Sequence, residues 1–332
     1  TGRCSSLAET PFKMGRCVHC SFSTHCKRHR SIRLQHRNSL EKSLWINEHV
    51  LHHYRPPKMP ASLCIQSMFH WTNETINIWS HLLGFIYFSY CQIERNLWSL
   101  PMIGASSTEH VVVSLSLFGS QMCMFLSATF HIFGCQSARS RQKYLQLDLF
   151  GISAGILSMY ITGIYTSFFC FENHLRSYLA VLLCLFLITG VVPFRKDSLN
   201  SKVIGSRIGW VHIIYTLVIL FGLCPIVHWV ILHGGFGNAH VVEWIPSVLI
   251  VYTLTGAAFF FYVSMFPERI RPGSFDLVGC SHQWWHLLIL AAMISWQSSS
   301  IQLLTYYHSN DGICDAFTPI SPFLNNHSRI EL

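Results

Sequence analysis

Seven apolar runs of about 20 residues constrain this chain more than any other feature, because a backbone in lipid must satisfy its hydrogen bonds within its own helix or in a closed barrel. The runs cover approximately 76–93, 110–134, 147–171, 176–194, 208–232, 244–265 and 282–304. They predict an all-α fold, a seven-transmembrane helix bundle. Composition agrees: 51% of residues are hydrophobic and only 11% are Asp, Glu, Lys or Arg, against about 25% charged in soluble domains. An ordinary soluble enzyme is excluded. Pro225, near the end of the fifth run, predicts a kink there.

The net charge of +8 belongs to one end of the molecule. Residues 1–58 hold 11 Lys and Arg against three acids, and the remaining residues hold 12 of each sign. Positive residues stay on the cytosolic side of a membrane span. Arg139, Arg141 and Lys143 follow the second run, Arg195, Lys196, Lys202 and Arg207 the fourth, and Arg269 and Arg271 the sixth. The opposite set of loops carries only Arg95, Arg176 and Arg329. The expected topology therefore has a cytosolic N-terminus and a lumenal or extracellular C-terminus. Of the two glycosylation sequons, Asn73-Glu-Thr75 would face the cytosol and Asn326-His-Ser328 the lumen, so only Asn326 is a candidate for modification.

This topology brings distant polar residues to one depth. Ser127 and His131 lie four apart at the cytosolic end of the second span, sharing a face. Asp148 begins the third span, and His282 and His286 form an i, i+4 pair at the start of the seventh. Two histidines so spaced can grip a metal from one helix, and a third from a neighbour leaves zinc an open position, the arrangement of a catalytic centre. Asp148 could accept a proton or orient a ligand histidine, and Ser127 could bind a water or a substrate carbonyl. The competing explanation is plain interfacial hydrogen bonding at span ends. For His212 and His228 packing is the expected role.

The segments Asn73-Glu-Thr-Ile-Asn-Ile-Trp-Ser-His81, Ser127-x-x-x-His131, Asp148 with Gly151-Ile152, and His282-Gln-x-Trp-His286 resemble the signature segments of the progestin and adipoQ receptor family. The resemblance covers about residues 40–308. It implies an intramembrane Zn2+ held by His131, His282 and His286, with Asp148 and Ser127 around it, and it assigns Asn73, Glu74, Asn77 and His81 to a family motif whose expected role is structural. The constellation is also similar to that of alkaline ceramidases, which implies a zinc-dependent lipid amide (ceramide-like) hydrolase as one alternative; a steroid or adipokine-type receptor is another. The stretches 62–69, 82–85, 232–236 and 267–269 resemble most a Golgi-resident branch of the family that traps Raf kinase. That implies a multi-pass Golgi membrane protein restraining MAP kinase signalling, with the plasma membrane as the alternative location.

The chain divides into a basic cytosolic tail (1–58), a juxtamembrane segment (59–75), the seven-helix domain (76–304) and a lumenal tail (305–332). Asn38-Ser-Leu-Glu41 reads as a capping box, and Leu40, Leu44, Leu51 and Tyr54 follow at near-helical spacing before Pro56, so a surface helix is expected near 39–54. The basic cluster at 25–37 would bind anionic headgroups. Nucleic acid is disfavoured as a partner because the tail is tethered to a membrane. Cys17-x-x-Cys20 with His25, Cys26 and His29 is too tightly spaced for a classical zinc finger. Thirteen cysteines show no regular spacing, and no disulfide framework is readable. The chain opens on Thr, as a fragment or processed form would, with no apolar run resembling a signal peptide.

Overall fold

A computed structural model describes residues 32–195, 202–204 and 208–310, with 312 and 314. The basic cluster up to residue 31, the cysteines and histidines at 17–29 and the Asn326 sequon lie outside the described residues. All elements below belong to one compact unit that begins at Arg33.

A short helix α1 (Ala61–Ser67) precedes α2 (Thr75–Glu94), α3 (Ser107–Phe133), α4 (Ala138–Ser167) and α5 (Glu172–Val191). A two-stranded ladder, β1 (Lys202–Ile204) with β2 (Ile208–Gly209), leads into α6 (Trp210–Phe221) and its continuation α7 (Leu223–Leu232). Then come α8 (Ala239–Ser264) and α9 (Ser281–Ser309). Among the described residues six helices are long and apolar enough to cross a membrane: α3, α4, the helix ending at Phe194, the Trp210–Leu232 pair, α8 and α9. The first expected run, 76–93, forms α2, 20 residues long and thus about 30 Å. It is less apolar because Asn77, Ser80 and His81 point inward and are buried.

Adjacent helices pack as antiparallel neighbours, and α2 and α4 both lean on α9 as well. At the α3–α4 crossing a Cβ on Gly119 would sit 2.6 Å from the Ala154 carbonyl oxygen, so only glycine lets the backbones meet. Inside this packing Gln297 donates to Ser116 (2.7 Å) and Ser120 (3.2 Å) and accepts from Arg95 (3.1 Å), while Ser116 donates to the Ser158 carbonyl (2.6 Å). Such bonds join helices where no water can.

The helix breaks at Gly222, between α6 and α7, three residues before Pro225. Proline lacks an N–H and crowds the carbonyl four residues back. Two tyrosines bond to carbonyls just before the break: Tyr160 donates to Val218 and Tyr252 to Ile219 (3.0 Å). A Cβ on Gly222 would lie 2.6 and 2.7 Å from their hydroxyls.

The segment before α1 departs from expectation. Instead of a surface helix near 39–54, residues 33–58 contain two 3-10 turns, Arg37–Ser39 and Lys42–Leu44, and extended chain. Two of the residues read as one helix face, Leu40 and Tyr54, are buried against a different partner: with Val50 they pack on Cys280 and Phe275. Carboxylates of the α8–α9 loop hold the segment down. Buried Glu268 accepts from Asn47 Nδ2 (2.8 Å) and from Ser281 N (2.7 Å), and buried Asp276 accepts from the backbone N–H groups of Leu51 (3.1 Å) and His52 (2.7 Å). The segment thus belongs to the helical unit rather than to a free tail.

One disulfide, Cys170–Cys314, ties the α4–α5 turn to the chain beyond α9. Nothing in the spacing of the cysteines announced it.

Candidate metal centre

His131 sits on the last full turn of α3, and His282 and His286 on the first turns of α9. Their ligand nitrogens all lie within 4.8 Å of one another. Nε2 of His286 approaches Nε2 of His282 at 3.3 Å, a contact that needs a shared proton or a cation between two lone pairs. Nε2 of His131 is buried with no hydrogen-bond partner, which otherwise costs about 1–3 kcal/mol. An orphaned imidazole nitrogen aimed at two others is the donor set zinc requires. The residues present therefore fit the metal.

The nitrogens behind this set are also held. Nδ1 of His131 meets the Glu74 carboxylate at 2.8 Å, with both side chains nearly fully buried. Nδ1 of His286 faces Ser80 Oγ at 3.5 Å. A carboxylate behind a ligand histidine fixes the tautomer and ring orientation, and losing it typically costs about 10–100-fold in metal affinity. Glu74 was expected to be structural; it instead stands directly behind a ligand. The pairing spans 57 residues of sequence, so spacing could not announce it. Burial alone would raise the Glu74 carboxyl, but the His131 ring and the Arg141 and Arg55 guanidinium groups hold it well below the usual carboxylate range.

Arg55, also missed in the sequence, secures the helix end that carries His131. Its guanidinium donates to the carbonyls of His131 and Ile132 (2.9 Å) and to Ser67 Oγ (3.0 Å). These are carbonyls a helix C-terminus leaves unpaired.

The other expected residues gather around the cluster with different roles. Ser127, Asp148 and His81 line one cavity with His282 and His286. His81 stacks on His286 with ring centroids 3.8 Å apart. Asn77 donates to Glu74 (2.8 Å) and helps aim its carboxylate. Asn73 is 1% exposed, so its sequon is closed to a glycosyltransferase in the folded state. His228 contacts Tyr178 Oη (3.1 Å) away from the centre, whereas His212 contacts Tyr262 Oη (2.8 Å), whose ring centroid lies 6.4 Å from that of His282.

The cavity measures about 230 Å3. Its ionisable groups gather at the histidine end, and its walls beyond are mostly apolar or aromatic, among them Ile152, Met159, Ile219, Val248 and Met293, with hydroxyls such as Thr166, Ser247 and Ser300 between them. It reaches Trp229 and Trp244 at the opposite end of the helices. An elongated apolar slot with ionisable groups at its head suits an acyl chain with a polar carbonyl terminus.

Comparison with known proteins agrees with this architecture. Residues 69–297 match the haemolysin-III related family. Human progestin and adipoQ receptor family member 3 is 36% identical over 281 residues, 84% of this chain and 89% of the relative. The adiponectin receptor protein of Drosophila melanogaster is 30% identical over 259 residues, covering 77% of this chain and 56% of its own length. Heptahelical transmembrane protein 1 of Arabidopsis thaliana is 29% identical over 266 residues, 78% of each chain. With the family model spanning well over half the sequence, and the histidine-bearing helices inside it, this chain belongs to the haemolysin-III related proteins and, among them, to the progestin and adipoQ receptor family.

Proposed function

We propose that this chain is a seven-span membrane protein, with its N-terminus in the cytosol and its C-terminus in the lumen, that binds zinc at His131, His282 and His286 and receives a lipid amide or its acyl product in the adjoining cavity. The observation that carries this is the convergence of three imidazoles, one carboxylate and one hydroxyl at the head of an apolar slot. The orientation is supported by the loop charges and by sulfur chemistry. Cys170–Cys314 is a disulfide, as expected in an oxidising lumen, while Cys64 and Cys135 at the other end of the helices are thiols.

A zinc ion held there would supply a Lewis acid to polarise a carbonyl and an activated water at neutral pH. The chain's own residues do the rest. Glu74 and Ser80 keep the Nε2 faces of His131 and His286 turned inward. Asp148 and Ser127 stand where a scissile amide would enter, the carboxylate to accept a proton from water and return it to the leaving nitrogen, the hydroxyl to donate to the carbonyl. The apolar walls exclude bulk water and set the register of the chain. The test is release of fatty acid from a ceramide-like amide by purified protein in detergent or vesicles. Activity lost in Asp148→Asn with zinc retained supports hydrolysis; no turnover by zinc-loaded protein leaves a binding protein or receptor for a steroid or adipokine-type ligand.

A second function is favoured by the 36% identity over most of the chain with family member 3 and by the resemblance to a Golgi-resident, Raf-trapping branch. On this proposal the protein resides in the Golgi membrane, sequesters Raf kinase on its cytosolic face and lowers MAP kinase output, with the basic tail resting on anionic headgroups. Tagged protein should co-localise with a Golgi marker and capture Raf; plasma-membrane residence without Raf capture would exclude it.

A further inference from the structure

Two cysteines outside the metal centre lie within reach of each other. Cys64, on α1, and Cys135, in the turn between α3 and α4, have sulfurs 3.8 Å apart. Cys64 is fully buried and Cys135 is half-buried. Each also faces a carbonyl, Cys64 that of Met59 and Cys135 that of Ile132, both at 3.8 Å. The surrounding bonds join the same two pieces of chain: Lys58 N donates to the Gln136 carbonyl (2.8 Å), Gln136 Nε2 to the Met59 carbonyl (3.1 Å), and Arg55 to the Ile132 carbonyl.

We propose that Cys64 and Cys135 form an oxidation site, a dithiol that closes to a disulfide when hydrogen peroxide reaches the cytosolic face and so fastens α1 to the α3–α4 turn. The site rests on the cytosolic placement proposed above. The half-buried sulfur reacts first: Cys135 thiolate attacks peroxide, forming an S–O bond and breaking the O–O bond to give a sulfenic acid and hydroxide. The Cys64 sulfur then attacks the sulfenic sulfur, the S–O bond breaks, and the Cys64 proton leaves with the oxygen as water. Two thiols and one peroxide become one disulfide and two waters. The hydrogen bond with Cys64 lowers the Cys135 thiol below its ordinary value, aided by the Arg55 guanidinium and opposed by burial, which enriches the reactive thiolate. The same hydrogen bond, followed by burial, raises Cys64, which suits a thiol that waits. Closing from 3.8 Å to a bond of about 2.05 Å needs only a side-chain rotation and a small shift of the turn. The bridge would span the junction where Arg55 caps the helix end bearing His131.

The test uses full-length protein in cells, quenched with N-ethylmaleimide and mapped by mass spectrometry. At rest both thiols should be alkylated; after peroxide a 64–135 linked peptide should be the major form, 2 Da lighter than the reduced pair. In Cys64→Ala, peroxide should leave a dimedone-reactive sulfenic acid on Cys135 and no link. Deuterium uptake over 56–68 and 132–137 should fall severalfold on oxidation of the purified wild type. If both thiols stay alkylatable at a peroxide dose that oxidises the cells' own cytosolic thiol peroxidases, the site is overturned and the orientation stands. A link present at rest beside an intact 170–314 disulfide overturns the switch alone. A link at rest with Cys170 and Cys314 alkylated overturns the switch and the orientation together.

Discussion

Two histidine-rich clusters close the two ends of one cavity, and they are built differently. At the head, His131, His282 and His286 point ring nitrogens at a common centre, with Glu74 bonded behind one ring. At the floor, around Trp229 and Trp244, His233 stacks on His240 with centroids 5.1 Å apart and planes 28° apart. There the nitrogens serve neighbours: His233 Nδ1 contacts the Trp229 carbonyl (2.8 Å), and His240 Nε2 meets Tyr307 Oη (3.3 Å). Among the described residues the three head histidines are the set whose ligand atoms converge. Histidine density therefore does not make a metal site. Convergence with a carboxylate behind it makes a candidate for one, because that geometry aligns lone pairs where stacking turns them apart.

The comparison can be broken most directly at the ligands. His282→Ala with His286→Ala should reduce bound zinc from one per chain to none by elemental analysis, whereas His233→Ala with His240→Ala should leave it unchanged; equal loss from both would erase the distinction. A smaller effect is expected from Glu74→Gln, which keeps the shape and removes the charge. Zinc affinity should fall by about 10–100-fold in competition with a chromophoric chelator, and an unchanged affinity would return Glu74 to a structural role. Narrowing the slot at its floor, with Ser247→Trp, should cut fatty-acid release at least about tenfold, or about 1.4 kcal/mol in the barrier, at full zinc occupancy.

The smallest expected effect is one of pH. Burial, partly offset by the bond to the Trp229 carbonyl, holds the His233 imidazole below its ordinary value. The unfolded chain then takes up this proton first, so the contribution is complete above about pH 6.5 and is lost as pH falls below it. Melting temperature should drop on acidification from pH 7.5 to 5.5, and His233→Gln should flatten the drop by roughly 2 °C, the shift of about 0.5–1 kcal/mol in a domain of this size. A pH profile identical in wild type and variant would remove His233 from the floor's energetics.

The head of the cavity was readable from sequence because its signals are local or follow from loop charge. The i, i+4 spacing put His282 and His286 on one face, and the Lys and Arg count set which helix ends meet them. The helices followed from apolar runs, with α2 less apolar for the same reason it is useful, its inward Asn77, Ser80 and His81. The Glu74–His131 pair, the Cys170–Cys314 bond and the docking of 33–58 were not readable, since each joins residues far apart in sequence. In the last case the spacing of Leu40, Leu44, Leu51 and Tyr54 mimicked a helix. The side chains of Leu40 and Tyr54 were fitted to a loop more than 200 residues away, which periodicity cannot anticipate.

Glu268 and Asp276 have a practical consequence for anyone who shortens this protein. A truncation at residue 58, where the charge pattern changes, would strip two buried carboxylates of Asn47 and of the Leu51 and His52 amides, and would remove the guanidinium that finishes α3. Such a piece would carry every transmembrane residue and still lack the segment that packs beside the histidine-bearing ends of α3 and α9. The compact unit that keeps these contacts starts at Arg33.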